Sequence, residues 1–145
     1  ATILNPAPAC EIDDDDFKLI DFFTPNETEA EFYLNKKIES EKDIKSASEE
    51  FLKKGIKNVV MTLGEKGCYF VNEKESFFIN AFKLREPVLD TTGAGDAFNG
   101  ALAVGLSKDL EIKEALTFAN KVAAISTTKQ GAAASMPSLE DLKNY

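Results

Sequence analysis

The chain has 145 residues, a formal net charge of -8, two cysteines and no histidine. That length suffices for one sizeable core, the acidic balance argues against a nucleic-acid backbone or an anionic membrane as partner, and no apolar run reaches membrane-spanning length. Without histidine there is no Ser-His-Asp or Cys-His nucleophile and no HExxH zinc site; Cys10 and Cys68, with no CxxC, read as two reduced thiols of a cytoplasmic protein.

Taken in chain order, residues 1–9 read as a strand, carried by Ile3 and Leu4, that ends in a Pro-rich turn. Asp13, Asp14, Asp15 and Asp16 read as a loop or helix start rather than a metal site, because adjacent carboxylates do not converge on one point. Residues 19–23, LIDFF, are expected to be a short buried strand stopped at Thr24 and Pro25. Asn26 and the acidic residues Glu27, Glu29 and Glu31 open a helix expected over residues 27–36. Ser40 with Asp43 resembles a capping box ahead of Ile44, Ala47, Phe51 and Leu52, and Gly55 closes that helix. Residues 57–63, containing Val59, Val60 and Met61, are the clearest strand; a turn at 64–67 leads to strands at 68–71 and 77–79 that pair as a hairpin. A later helix carries Ile112, Ala115, Leu116, Ala119, Val122, Ala123 and Ser126, a narrow stripe suited to close packing against a helix that starts near Ala94. A short helix over 138–143 ends the chain. Strands alternating with helices predict an α/β fold, with a largely parallel sheet covered by helices on both faces.

In such sheets ligands bind beyond the carboxyl ends of strands. Three polar turns are expected there: residues 24–26, residues 62–64, and the loop over 90–96, reached through an extended segment at 86–89. The last of these, DTTGAGDAFNG over residues 90–100, carries the most chemistry. Ala94, Phe98, Ala101, Leu102 and Gly105 recur at helical spacing, so Gly93 and Gly95 sit where a loop becomes a helix. Such a junction offers backbone N–H groups and the positive end of a helix dipole to an anion. Asp96, in the first turn, could accept a proton from a hydroxyl held there; it could also be a plain helix-start residue, and Asp90 a plain turn residue. Phe98 stands where a dinucleotide fingerprint needs its third glycine, and no GxxxxGK[ST] loop occurs.

Residues 90–100 resemble the C-terminal signature of the ribokinase family of sugar kinases, also called the PfkB carbohydrate kinases. LNPAPA at 4–9, TPNETEAE at 24–31 and GAAASMP at 131–137 resemble the same family. The resemblance implies a ribokinase-like fold and ATP-dependent phosphorylation of a sugar's primary hydroxyl. D-Ribose is the favoured acceptor, with a fructokinase or adenosine kinase as the nearest alternatives. A non-catalytic nucleotide-binding module is the alternative of another class. The match covers only the C-terminal half of such an enzyme, so the chain reads as a fragment without the sugar-binding half and lid, its parent a cytoplasmic homodimer.

Residue by residue, the resemblance makes Asp96 the catalytic base and Gly93, Ala94, Gly95 and Asp96 the anion hole for the γ-phosphoryl group. Asn26 and Glu29 match an Asn-x-x-Glu motif associated with magnesium-bound phosphates, although both are also ordinary helix-start residues. Thr62, Gly64 and Gly67 match a turn bordering the nucleotide, which a simple hairpin turn would equally resemble. Asn120 matches a position beside the adenine and is otherwise a polar residue on a helix. Asp90, Thr92, Ser126, Lys129, Gly131 and Ser135 map onto a monovalent-cation site, an oxygen cage suited to potassium; residues 131–137 could also be a plain loop.

Overall fold

The computed structural model describes residues 1–145, which divide into two compact units, 1–79 and 80–145. The first unit is built on five strands in sequential order: β1 (Ile3–Leu4), β2 (Phe22–Phe23), β3 (Asn58–Thr62), β4 (Cys68–Asn72) and β5 (Ser76–Ile79). β1, β2 and β3 run parallel, with Ile3 beside Phe22 and Phe22 beside Asn58. β4 and β5 add two antiparallel pairings, so the sheet is a parallel α/β portion extended by a hairpin.

The crossover from β2 to β3 holds helices α1 (Glu27–Leu34) and α2 (Glu41–Lys53). Both begin on a reciprocal capping box, Asn26 with Glu29 and Ser40 with Asp43. α2 buries Ile44, Ala47, Ser48 and Phe51, a three-to-four spacing that gives one apolar face, and lies against β3 and β4. α1 stops short of the expected residue 36 because Asn35 takes a left-handed conformation, φ 49°. The core gathers Phe17, Phe23, Phe51, Val59 and Met61, with Phe23 and Phe51 edge to face at 4.9 Å between ring centroids.

One expected strand is shorter than its apolar run suggested. Of residues 19–23 only Phe22 and Phe23 are in the sheet; Asp16–Leu19 is a 3-10 helix that buries Phe17 and leaves Leu19 69% exposed. The cause is the turn that the acidic run starts, closed by Asp16 N–H on the Asp13 carbonyl at 2.9 Å, which carries Phe17 inward in place of Leu19. The first strand is Ile3–Leu4, the two apolar residues read as carrying it ahead of the Pro-rich turn. Asp14 and Asp15 form surface ion pairs with Lys54 and Lys18.

In the second unit, residues 80–93 hold no strand, so the approach segment at 86–89 is irregular, with Val88 and Leu89 exposed. Then come α3 (Ala94–Ser107) and α4 (Ile112–Ser126), which pack along their length. A Cβ on Gly105 would stand 2.9 Å from that of Ala115, so the small stripe read from the sequence is what lets the two backbones approach. The final turn is a 3-10 helix over Asp141–Asn144, starting three residues later than the helix expected over 138–143 and ending one later.

Candidate functional site

The loop–helix junction at 90–96 is assembled in the second unit by one carboxylate. Asp90 Oδ1 accepts the Thr92 N–H at 2.9 Å and Oδ2 accepts the Gly131 N–H at 2.8 Å. The Thr92 side chain, then the Gly131 and Thr92 N–H groups, hold this carboxyl well below the usual range, at about 2. The N–H groups of Leu89 and Asp90 both donate to the Thr127 carbonyl, at 2.8 and 3.2 Å. Asp90 thus joins the turn before α3 to the segment after α4.

Gly93 is the N-cap of α3 and is left-handed, φ 79°. A Cβ there would lie 3.2 Å from Ala132 Cα, too close for an unshifted neighbour. Gly95 differs: a Cβ would meet nothing within 4 Å, so packing does not demand glycine and the space beside it is open. Asp96, in the same first turn, is exposed. Ala94 N–H is engaged with the Thr91 carbonyl at 3.2 Å, and Asn99 Nδ2 donates to the Gly95 carbonyl at 2.9 Å.

The expected cation-site residues lie around this turn. Asp90, Thr92 and Gly131 are bonded together as above. Ser126, fully buried at the end of α4, donates its hydroxyl to the Ala123 carbonyl at 2.7 Å; its own carbonyl accepts the Lys129 N–H at 3.4 Å. Thr127 and Thr128, at the end of α4, turn their hydroxyls back in the same way. Ser135 is buried and donates to the Ala132 carbonyl at 2.7 Å. Carbonyls and hydroxyl lone pairs are the chemistry of a monovalent-cation cage, so the donor set fits such an ion. Asn120 is buried on α4, nearly two turns before Ser126.

In the first unit the structure brings Asn26 and Thr62 side by side in a parallel bridge, with Thr62 N–H donating to the Pro25 carbonyl at 2.9 Å. The Asn-x-x-Glu pair is a capping box: Asn26 Oδ1 accepts the Glu29 N–H at 2.9 Å, and Glu29 Oε2 accepts the Asn26 N–H at 2.8 Å. Burial pushes the Glu29 carboxyl up, opposed by that N–H. Gly64 and Gly67 form the β3–β4 hairpin turn, closed by Leu63 N–H on the Gly67 carbonyl at 2.8 Å. Gly67, at φ 98° and ψ -124°, occupies a conformation that is essentially glycine's alone. Glu29 belongs to no group of three or more His, Cys, Asp or Glu side chains placed to hold a metal ion. A shallow depression lined by Phe32, Asn35, Lys36 and Lys37 contains none of these residues.

Sequence reasoning missed Thr127, whose buried side chain gave no signal for its carbonyl's role, and the second use of Asn26 with Glu29. The latter was legible, since an N-cap residue three before a glutamate is the spacing of a capping box.

The model of the pfkB family carbohydrate kinases matches residues 2–139. The chain belongs to that family. It is 42% identical over 142 residues to a ribokinase of Staphylococcus aureus, covering 97% of this chain and 46% of that protein. A Salmonella typhi deoxyribokinase is 35% identical over 144 residues, 99% of this chain and 46% of its own length. Among solved structures, Arabidopsis thaliana ribokinase complexed with ribose and ATP superposes with a TM-score of 0.92 at 30% identity, covering 98% of this chain and 46% of that one. A putative ribokinase II from E. coli, in complex with ATP and magnesium, superposes with a TM-score of 0.75 at 25% identity, covering 90% and 40%. The chain therefore spans about half the length of the relatives it matches, and its fold is the ribokinase-like α/β fold.

Proposed function

We propose that this chain is the nucleotide-binding, catalytic-base part of an ATP-dependent kinase that converts D-ribose to D-ribose 5-phosphate. The observation that carries the reading is the start of α3, where Gly93 sets a left-handed turn, Gly95 leaves open space, and Asp96 stands exposed in the first turn. Magnesium-bound ATP supplies the phosphoryl group. Asp96 takes the proton from the sugar's primary hydroxyl, and the N–H groups of Ala94, Gly95 and Asp96 face the charge that spreads over the transferred group. For Ala94 this requires leaving its 3.2 Å bond to Thr91, a weak one for an N–H donor.

Asn26, Thr62, Gly64, Gly67 and Asn120 are assigned to the nucleotide by family resemblance, with Glu29 acting on magnesium through water. Asp90, Thr92, Ser126, Lys129, Gly131 and Ser135 are assigned to potassium, which would fix the turn that carries the anion hole. Similarity to ribokinases supports ribose, and similarity to a deoxyribokinase makes deoxyribose the second acceptor to try. The test is ATP-dependent phosphorylation of ribose, deoxyribose, fructose and adenosine by the intact protein that carries this sequence, with and without potassium. Potassium-stimulated turnover of ribose supports the reading. Turnover of another acceptor alone would replace the sugar, and turnover of none would overturn the kinase reading.

A further inference from the structure

The segment after α4 holds only two short 3-10 turns, Ala133–Ser135 and Asp141–Asn144, yet it is gripped from two sides. On one side Asp90 takes the Gly131 N–H at 2.8 Å. On the other, Asp141 Oδ1 accepts from Lys129 Nζ at 3.1 Å. Asp141 is itself fixed, because its Oδ2 accepts both the Ser138 N–H at 2.7 Å and the Ser138 hydroxyl at 2.8 Å. Ser138 Oγ in turn accepts the Asp141 N–H at 3.2 Å, which closes a capping box in the final turn. Ala132 and Met136 then pack on Gly93, with Met136 Cε 3.3 Å from where a Cβ would stand.

An isolated ion pair with side chains 45% and 32% exposed would contribute little, since two flexible chains must be ordered to make it. Here one partner is already ordered by the capping box, so only Lys129 loses freedom. The charge matters as well. Lys129 lies in the segment assigned to a monovalent cation, and an unpaired ammonium there would repel that ion; Asp141 neutralises it.

We propose that Asp141, itself fixed by Ser138, is a positioning residue for the cation segment: through Lys129 it holds the backbone of residues 129–131 against the Asp90 turn and offsets the Lys129 charge. This rests on the assignment of potassium to that segment. It adds a residue outside the assigned site, in the last turn of the chain.

The experiment uses the intact protein and its Asp141→Asn and Asp141→Glu variants. Amide hydrogen exchange over residues 126–136 is measured without ligand, and the potassium concentration for half-maximal response is read from both ribose phosphorylation and the thermal midpoint. Asp141→Asn is expected to speed exchange at Gly131 and raise the potassium midpoint about threefold to fivefold, the scale of losing one supported ion pair, with turnover at saturating potassium nearly unchanged. Asp141→Glu is expected to recover most of the shift. Unchanged exchange in Asp141→Asn would overturn the clasp; faster exchange with an unmoved potassium midpoint would overturn its link to the cation. A wild-type protein indifferent to potassium in both readouts would overturn the cation assignment, and with it this role, independently of the exchange result.

Discussion

Gly93 and Gly95 stand in one turn, yet the protein itself requires only the first. Gly93 has φ 79° and neighbours at 3.2 Å, whereas Gly95 has open space where a side chain would go. Gly93→Ala is therefore expected to destabilise by about 1–3 kcal/mol, the cost of a strained backbone, seen as a lower urea midpoint. Gly95→Ala is expected to leave the urea midpoint unchanged or slightly raised, by up to about 1 kcal/mol, while turnover falls tenfold or more if a phosphoryl group must approach there. Loss of stability in Gly95→Ala would show that glycine is structural at that position. Asp21 makes a separate case. Its carboxyl is lowered from 3.8 to about 2, first by the Lys57 ammonium and then by the Thr2 N–H at 2.8 Å. A lowered carboxyl stabilises the fold above its unfolded value and loses that contribution as pH falls toward the folded one. The urea midpoint of Asp21→Asn should thus lie below wild type at neutral pH, and the gap should close between about pH 4 and pH 2; a gap constant with pH would contradict this.

At the scale of elements, longer elements were more legible in the sequence than two-residue strands, for a physical reason. α2 and α4 have apolar residues at helical spacing, and α2 also has a capping box and a closing glycine, so both could be read closely. A two-residue strand such as β2 has no periodicity at all, and the same LIDFF run serves a 3-10 turn and an extended pair equally well. The turn into α3 was legible because its glycines and carboxylates are side-chain signals within a few residues, as at 90–96. The candidate site was not legible where backbone carbonyls act, since any residue type supplies one; Thr127 is the example. The capping box at α1 predicts that Asn26→Ala costs about 1 kcal/mol of stability, because it strips the Glu29 N–H of its acceptor. If Asn26 also serves a nucleotide, ATP affinity should fall by more than this loss of stability accounts for; unchanged ATP affinity would leave Asn26 as a cap alone.

At the scale of the molecule, β1 is a two-residue strand paired only with β2, and its free edge is formed by Ile3 and Leu4. An open apolar edge predicts self-association of the 145-residue chain studied by itself, visible as a concentration-dependent sedimentation coefficient; a monomer at all concentrations would contradict it. The same chain spans 46% of the ribokinase it resembles, and residues 1–145 alone are expected to phosphorylate no sugar. One carboxylate, Asp96, carries the proposed chemistry. The most direct measurement is turnover by the intact protein against its Asp96→Asn variant, at saturating ATP, magnesium, potassium and ribose, with ATP binding followed in parallel. The account predicts a loss of roughly two to four orders of magnitude in turnover, the scale of a missing general base, with ATP binding retained. Near-normal turnover in Asp96→Asn would contradict it.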